Sequence, residues 1–230
     1  GVSLSNDVQN KTSSKGWQVA PEDLSSSGIK AFGANQYKYD YTHYADKFNI
    51  TSSTLNTFDG TKPNPASGIT GIYFARPTNP ERQISISVNW PQISQNDKII
   101  ILIDGNLDIS KDINVASGGF IAFIVSGDIT FYKYLGINPI ADPHSYKVVD
   151  GIYIADGTIS TGDTSGETDS ANKKQFIGKG MFIAGNFSLG RTLPDNSTMP
   201  AEYFEFRPDL LVNFPKEMGD GQRTWSEVAP

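Results

Sequence analysis

The sequence predicts an all-β fold: a right-handed parallel β-helix, or β-solenoid, of about four to five coils, with an N-terminal cap and an extended C-terminal tail. Three observations carry that prediction. A ten-residue pattern recurs four times, at Ile100–Ile109, Ala122–Phe131, Ile152–Thr161 and Gly180–Leu189, with glycines aligned at Gly105, Gly127, Gly157 and Gly185. Apolar residues alternate with polar ones after each glycine, the mark of a strand with one buried face. The composition is rich in Gly, Ser, Thr and Asn and low in charge, with 19% charged and 37% hydrophobic residues. That balance suits many turns and short strands around a core rather than long helices or disorder.

Taken along the chain, residues 1–15 are polar and read as a flexible linker. Residues 16–66 lack the repeat and are enriched in aromatics. Tyr37, Tyr39 and Tyr41 alternate as on a strand, while Tyr44 and Phe48 sit four apart as on a helical turn. This segment is expected to cap one end of the stack, because an open sheet edge invites polymerisation. A fifth, degenerate repeat precedes the four: Gly71–Ala75 mirrors Gly151–Ala155, and Ile84–Val88 follows as an alternating strand.

The coils proper fall within residues 67–190, and the columns of the repeat state the physics. Two residues after each glycine stand Leu107, Ile129, Ile159 and Phe187, expected inside; three before it stand Leu102, Ile124, Ile154 and Phe182. The glycine marks a corner where backbone bends or approaches closely. The polar residue that follows, Asn106, Asp128, Thr158 or Asn186, is placed to hydrogen-bond that corner. One such unit cannot bury its own apolar face, but a stack of them can. The longer spacings late in the repeat fall in excursions at 133–150 and 162–178, rich in turn residues. The tail, residues 191–230, carries Pro194, Pro200, Pro208 and Pro215, which exclude a continuous helix. It is expected to run back along the solenoid wall, since Ile99–Ile103 and Phe120–Val125 are apolar on both faces and need an outer cover. Residues 16–230 are thus expected to form a single domain.

Composition also excludes functions. Net charge is −6 and basic residues are scattered, so no nucleic-acid face is expected. With no cysteine there are no disulfides, thiol catalysis or Cys-type metal sites. No apolar run approaches the ~20 residues that span a bilayer, so any membrane attachment is expected through segments outside this chain. The chain begins at Gly1 without Met and reads as a piece excised from a longer protein.

Chemistry-bearing residues are few. Asp104–Asp108 starts like a calcium loop but has Ile109 where that loop needs Gly and Val115 where it needs Glu. The better calcium candidate is Asp163, Glu167 and Asp169, three carboxylates on one excursion. The other excursion supplies Tyr132, Tyr134, His144 and Tyr146. Equivalent positions in stacked coils project from one edge, so the two excursions are expected side by side. Aromatics beside carboxylates suit a sugar or a basic protein segment. A polysaccharide-acting enzyme, lyase or glycosidase, would instead use outward carboxylates such as Asp108, Asp128 and Asp156 with Lys111 or Lys133.

The combination of Asp104–Leu107, Gly118–Gly127, Gly151–Thr158 and Phe206–Leu210 resembles the C-terminal region of large, uncharacterised exported proteins of ultra-small bacteria of the candidate phyla radiation, and Trp225–Pro230 looks like the end of those chains. The resemblance covers residues 70–230 closely and 16–70 loosely. It implies a cell-surface, extracellular location and a β-helical domain, and it implies no reaction. The functional expectation is a non-enzymatic surface module for adhesion, attachment or structural display. Its partners would be a glycan or a protein on a host or partner cell, with no cofactor apart from the candidate calcium ion.

Overall fold

A computed structural model describes residues 24–25, 28–29, 40–50, 56–66, 68–166, 168, 173–195 and 197–219. The chain divides into two compact units, residues 1–39 and 40–230. In the first, β1 (Leu24–Ser25) pairs antiparallel with β2 (Gly28–Ile29). Tyr37, Tyr39 and Trp225 lie outside the described residues.

The second unit opens with helix α1 (Tyr41–Lys47). Asp40 caps it, its Oδ1 accepting from the His43 amide at 2.9 Å. Strands follow in chain order: β3 (Asn56–Thr57), β4 (Thr70–Ala75), β5 (Gln83–Ile86), β6 (Lys98–Ile103), β7 (Asn106–Ile109), β8 (Phe120–Val125), β9 (Ile129–Phe131), β10 (Val149–Ser160), β11 (Phe176–Ser188) and β12 (Glu202–Glu205), then a short helix α2 (Asp209–Val212). Two parallel ladders organise them. The first runs β3, β4, β6, β8, then the leading parts of β10 and β11, and ends on β12. The second runs β5, β7, β9 and the trailing parts of β10 and β11. Because β10 and β11 pass unbroken through the corner, the ladders join into one curled parallel sheet. Parallel bridges Ile93 to Val115 and Ile113 to Val149 mark a third side. The chain is all-β and solenoid-like, as the alternation predicts.

Inside, aromatic rings stack from strand to strand. Phe123 lies 5.3 Å from Tyr153 at 11°, and Tyr153 lies 5.1 Å from Phe182 at 10°. Phe131 meets Tyr153 from the second ladder at 5.3 Å. The corner glycines stack as the repeat requires. The Gly127 amide donates to Gly105 O and the Gly157 amide to Gly127 O, both at 3.0 Å. A Cβ on Gly127 would sit 2.8 Å from Gly105 O, and one on Gly157 2.9 Å from Gly127 O, so no side chain fits this column. Asn106 Oδ1 accepts from the Asp128 amide at 3.0 Å, and Asp128 Oδ1 from the Thr158 amide at 2.7 Å. The polar residue after each glycine therefore caps the corner one strand on.

The structure corrects two columns. Leu107, Ile129 and Ile159 pair in sequence and are fully buried, but Phe187, paired to Ile159, is 49% exposed. Among the described residues no strand follows the trailing half of β11, so nothing closes over it. Phe182 does not share a column with Ile154; Ile183 does. A bulge after Ala155 sets two residues, Asp156 and Gly157, opposite Gly185 alone, and so shifts the repeat by one. Phe182 thereby turns inward onto Tyr153, and Ile183 outward, where it is 42% exposed.

The outer face of the first ladder has two covers. Helix α1 packs across β6, β8 and β10 and buries Tyr41, Tyr44 and Ala45. The described helix of the segment expected as an end cap thus lies along the side of the stack. The returning tail passes across the strands from β11 back to β4. Glu205 meets Lys179 of β11 at 3.1 Å, and Arg207 meets Asp150 of β10 at 3.2 Å. Phe214 meets Phe120 of β8 at 5.7 Å, and Asn213 O accepts from Lys98 of β6 at 2.8 Å. Glu217 accepts from Thr70 of β4 at 2.9 Å, and Gly219 O from Lys47 of α1 at 2.7 Å. Before this strap, the first part of the tail adds β12 to the sheet.

Candidate functional site

The registers fix where side chains leave the second ladder. Ile86, Ile109 and Phe131 are aligned partners at the ends of β5, β7 and β9. The ladder runs one residue further, with the Ser110 amide donating to Ile86 O at 3.0 Å and the Tyr132 amide to Ile109 O at 2.7 Å. Three residues past the aligned ends stand Asn89, Asp112 and Tyr134. These line one open groove of about 480 Å³, with Trp90, Lys111 and Asn114 also in its walls. Three sequence-distant residues, each just past a strand of a consecutive layer, thus meet in one groove.

Each wall residue is held differently. Trp90 has its indole Nε1–H on Gly60 O at 3.1 Å, and its ring lies 6.1 Å from Phe58 and 6.3 Å from Phe123, so it anchors the groove to the core. Tyr134 is 36% exposed, packs edge-on against Tyr132 at 5.3 Å, and has the Lys133 ammonium 4.9 Å from its ring centre. Desolvation pushes the Asp112 carboxyl up, and the Lys111 charge opposes it in part. Just before the groove, burial likewise raises Asp108, which accepts from Gln83 Nε2 at 2.6 Å.

The two excursions do leave side by side. A Cβ on Gly162 would lie 2.8 Å from Lys133 Cα, and Lys133 faces Asp163 closely enough to lower its carboxyl, though hydrogen bonds from Ser165 act more strongly. Asp163 Oδ1 closes a turn on the Ser165 amide at 2.7 Å. Glu167 and Asp169 lie outside the described residues. Among the described residues no group of three or more His, Asp or Glu side chains converges on a point that would hold a metal.

The structure separates the aromatic set that the sequence grouped. Tyr134 lines the groove, with Tyr132 packed edge-on against it. His144 lies instead at β11 and β12, its Nδ1 2.9 Å from Glu205 and its carbonyl accepting from Lys179 Nζ. Tyr203 donates to the same Glu205 at 3.1 Å. Partial desolvation acts upward on Glu205, but hydrogen bonds from Lys179 and Tyr203 and the nearby charges outweigh it and hold the carboxyl below its usual value. Tyr146, on the same limb of the excursion, is half exposed. The reason is length: residues 137–140 pair with Gln175, by an antiparallel bridge at Ile137 and by its side chain at Ile140, which carries the rest of the loop away from the corner.

Sequence reasoning missed Arg191. It is 4% exposed and binds four carbonyl oxygens: Thr161 and Leu135 at 2.7 Å, Tyr132 at 3.0 Å and Lys174 at 3.1 Å. Its guanidinium also sits 5.2 Å from the Phe176 ring. Burial pushes its pKa down to about 10, with Glu202 opposing, so it is charged at neutral pH. One cation therefore clamps the bases of both excursions behind Tyr132 and Tyr134. The only sequence signal is a basic residue at the point where the repeat stops.

The outward carboxylates have structural partners. Asp128 caps the Thr158 amide, and Asp156 Oδ1 accepts from the Tyr41 amide at 3.0 Å, at the start of α1. Asp104 receives Arg76 at 2.7 Å and Arg82 at 2.5 Å. No helix among the described residues is long and apolar enough to cross a membrane. No family model matches the chain, and no curated protein or solved structure matches it either.

Proposed function

We propose that this chain is a non-enzymatic module of an extracellular, cell-surface protein, a right-handed parallel β-helix of four to five coils that attaches to a glycan. The observation that carries the reading is the groove of Asn89, Asp112 and Tyr134. It sets an exposed aromatic ring among amides, a carboxylate and an ammonium, the mixture that packs on the apolar face of a sugar while hydrogen-bonding its hydroxyls. The corner-glycine column and the two parallel ladders support the β-helix, and the low charge, absence of cysteine and resemblance to exported proteins of the candidate phyla radiation support the location. A polysaccharide-acting enzyme is the second reading, favoured by the raised carboxyl of Asp112 beside Lys111. Glycosidases need two carboxyl groups about 5–10 Å apart across the scissile bond. Of the residues that could have supplied the second, Asp128 and Asp156 cap backbone amides, and Asp108 accepts from Gln83 Nε2 at 2.6 Å.

The deciding experiment is glycan-array binding of the whole chain, paired with a polysaccharide-degradation screen. Binding that Tyr134→Ala abolishes, without turnover, is expected. Release of reducing ends from any polymer, lost in Asp112→Asn, would replace this reading with the enzymatic one.

A further inference from the structure

Building on the glycan-attachment reading, we infer that the groove takes an uncharged, extended β-1,4-linked hexose chain lying parallel to the stacking axis, one sugar ring to each strand layer. The inference rests on periodicity. Asn89, Asp112 and Tyr134 line one groove, and each stands three residues past Ile86, Ile109 or Phe131, which pair directly in three consecutive layers. Parallel strands lie ~4.8 Å apart. The groove therefore takes one polar or aromatic side chain from each of three layers stacked at ~4.8 Å. A pyranose in a flat β-1,4 ribbon advances by about one such step per ring. An extended peptide advances ~3.3 Å per residue and falls out of step with the same layers. An α-linked coil bends away from it.

Charge and end geometry narrow the ligand further. The groove walls carry one cation and one anion, Lys111 and Asp112, adjacent in the chain and mutually compensating. Lys133, beside Tyr134, is offset by Asp163 in the neighbouring layer. A polymer with a carboxylate or sulfate on every unit finds no matching row of cations here. In the fourth layer the series stops. Thr164 is fully buried, its amide on Gly190 O at 3.2 Å and its hydroxyl on Thr192 O at 3.2 Å. Three layers are thus available, bounded at the far end by the Tyr132–Tyr134 pair that Arg191 holds from behind. The site is built for three rings in a row rather than one terminal sugar.

The test titrates the 230-residue protein with two ladders of defined length, glucose to cellohexaose and N-acetylglucosamine to chitohexaose. In at least one ladder the affinity should rise about tenfold or more, roughly 1.4 kcal/mol, from one ring to three, and change little beyond. Asn89→Ala should remove the gain of the third ring and leave the shorter ligands unaffected, while Tyr134→Ala weakens every length. Both side chains are at the surface, and unchanged circular dichroism and melting temperature check that the variants fold. A single sugar that binds as tightly as the trimer, or a length gain untouched by Asn89→Ala, overturns the inference and leaves glycan attachment standing. Binding of neither ladder also overturns it, and an array hit on a branched or charged glycan in that case would still support attachment. No hit of any kind would sink both.

Discussion

Burial, not residue type, decides what each position of the repeat contributes. Ile129 and Phe187 stand in one column two layers apart, yet Ile129 is fully enclosed while Phe187 is 49% exposed. Truncating a buried Ile to Ala costs about 2–5 kcal/mol, because transfer and cavity terms add. Phe187 has only about half its surface withdrawn from water, so Phe187→Ala should cost roughly 1 kcal/mol. Urea denaturation of the two variants checks the contrast, and equal losses would mean that Phe187 is covered in solution. Arg191 is the opposite case, a polar residue with a core residue's importance. Arg191→Met keeps much of the volume but removes the guanidinium donor from four carbonyl oxygens, of which Tyr132 O keeps the Leu135 amide at 2.8 Å, and each acceptor left unpaired costs about 1–3 kcal/mol where water cannot replace the donor. The variant should melt well below the parent and lose protection at residues 132–135 in hydrogen exchange. Arg191→Lys, with three donors for four carbonyls and no planar fork, should recover only part of that.

Elements were legible in the sequence where the repeat itself encodes them. The columns ending in Leu107, Ile129 and Ile159 and the glycines at 105, 127 and 157 recur because each layer repeats the same contact, so alignment alone reveals them. Three features were hidden. The bulge at Asp156–Gly157 leaves no mark until the two strands are paired. The cover supplied by α1 depends on where a seven-residue helix lands rather than on its own pattern. The groove arises from residues three past each strand end, where the repeat no longer constrains residue type and Asn, Asp and Tyr share only their distance from that end. The returning strap of the tail makes a pH prediction. Hydrogen bonds from Arg207 hold Asp209 below the ordinary carboxyl range, and Lys179 and Tyr203 do the same for Glu205 against partial desolvation. Carboxylates with depressed folded values stabilise the strap fully above their unfolded values, near 4. They lose that contribution as pH falls through the lower folded values. Hydrogen exchange at residues 205–219 should therefore quicken between pH 4 and 2, after correction for intrinsic rates, and more than in β8. Asp108 and Asp112, with raised values, act in the reverse sense but lie off the strap.

At the scale of residues 40–230, stability should be graded along the stack. Each layer touches only its neighbours, so the energetics approach those of a one-dimensional array, with ends weaker than the middle. β8 pairs β6 on one side and β10 on the other, and all six of its residues are buried. It also lies beneath both outer covers, α1 and the Phe214 contact of the tail. Among the described residues β5 pairs only β7, and the trailing half of β11, beyond the reach of β12, pairs only β10. Those outer strands hold their backbone hydrogen bonds on one edge and leave apolar side chains such as Ile183 and Phe187 half in water. Local opening there breaks fewer contacts than opening the centre, so it requires less free energy than global unfolding. Native-state hydrogen exchange should rank β8 and the middle of β10 slowest, β6 and β7 next, and β5 and residues 183–188 fastest. The groove spans the layers of β5, β7 and β9, so it runs from a labile end toward the protected centre. A bound trisaccharide should slow exchange most at β5, where there is most opening to suppress. Uniform protection across all strands, or slowest exchange in β5, would show a single cooperative block instead of a layered stack.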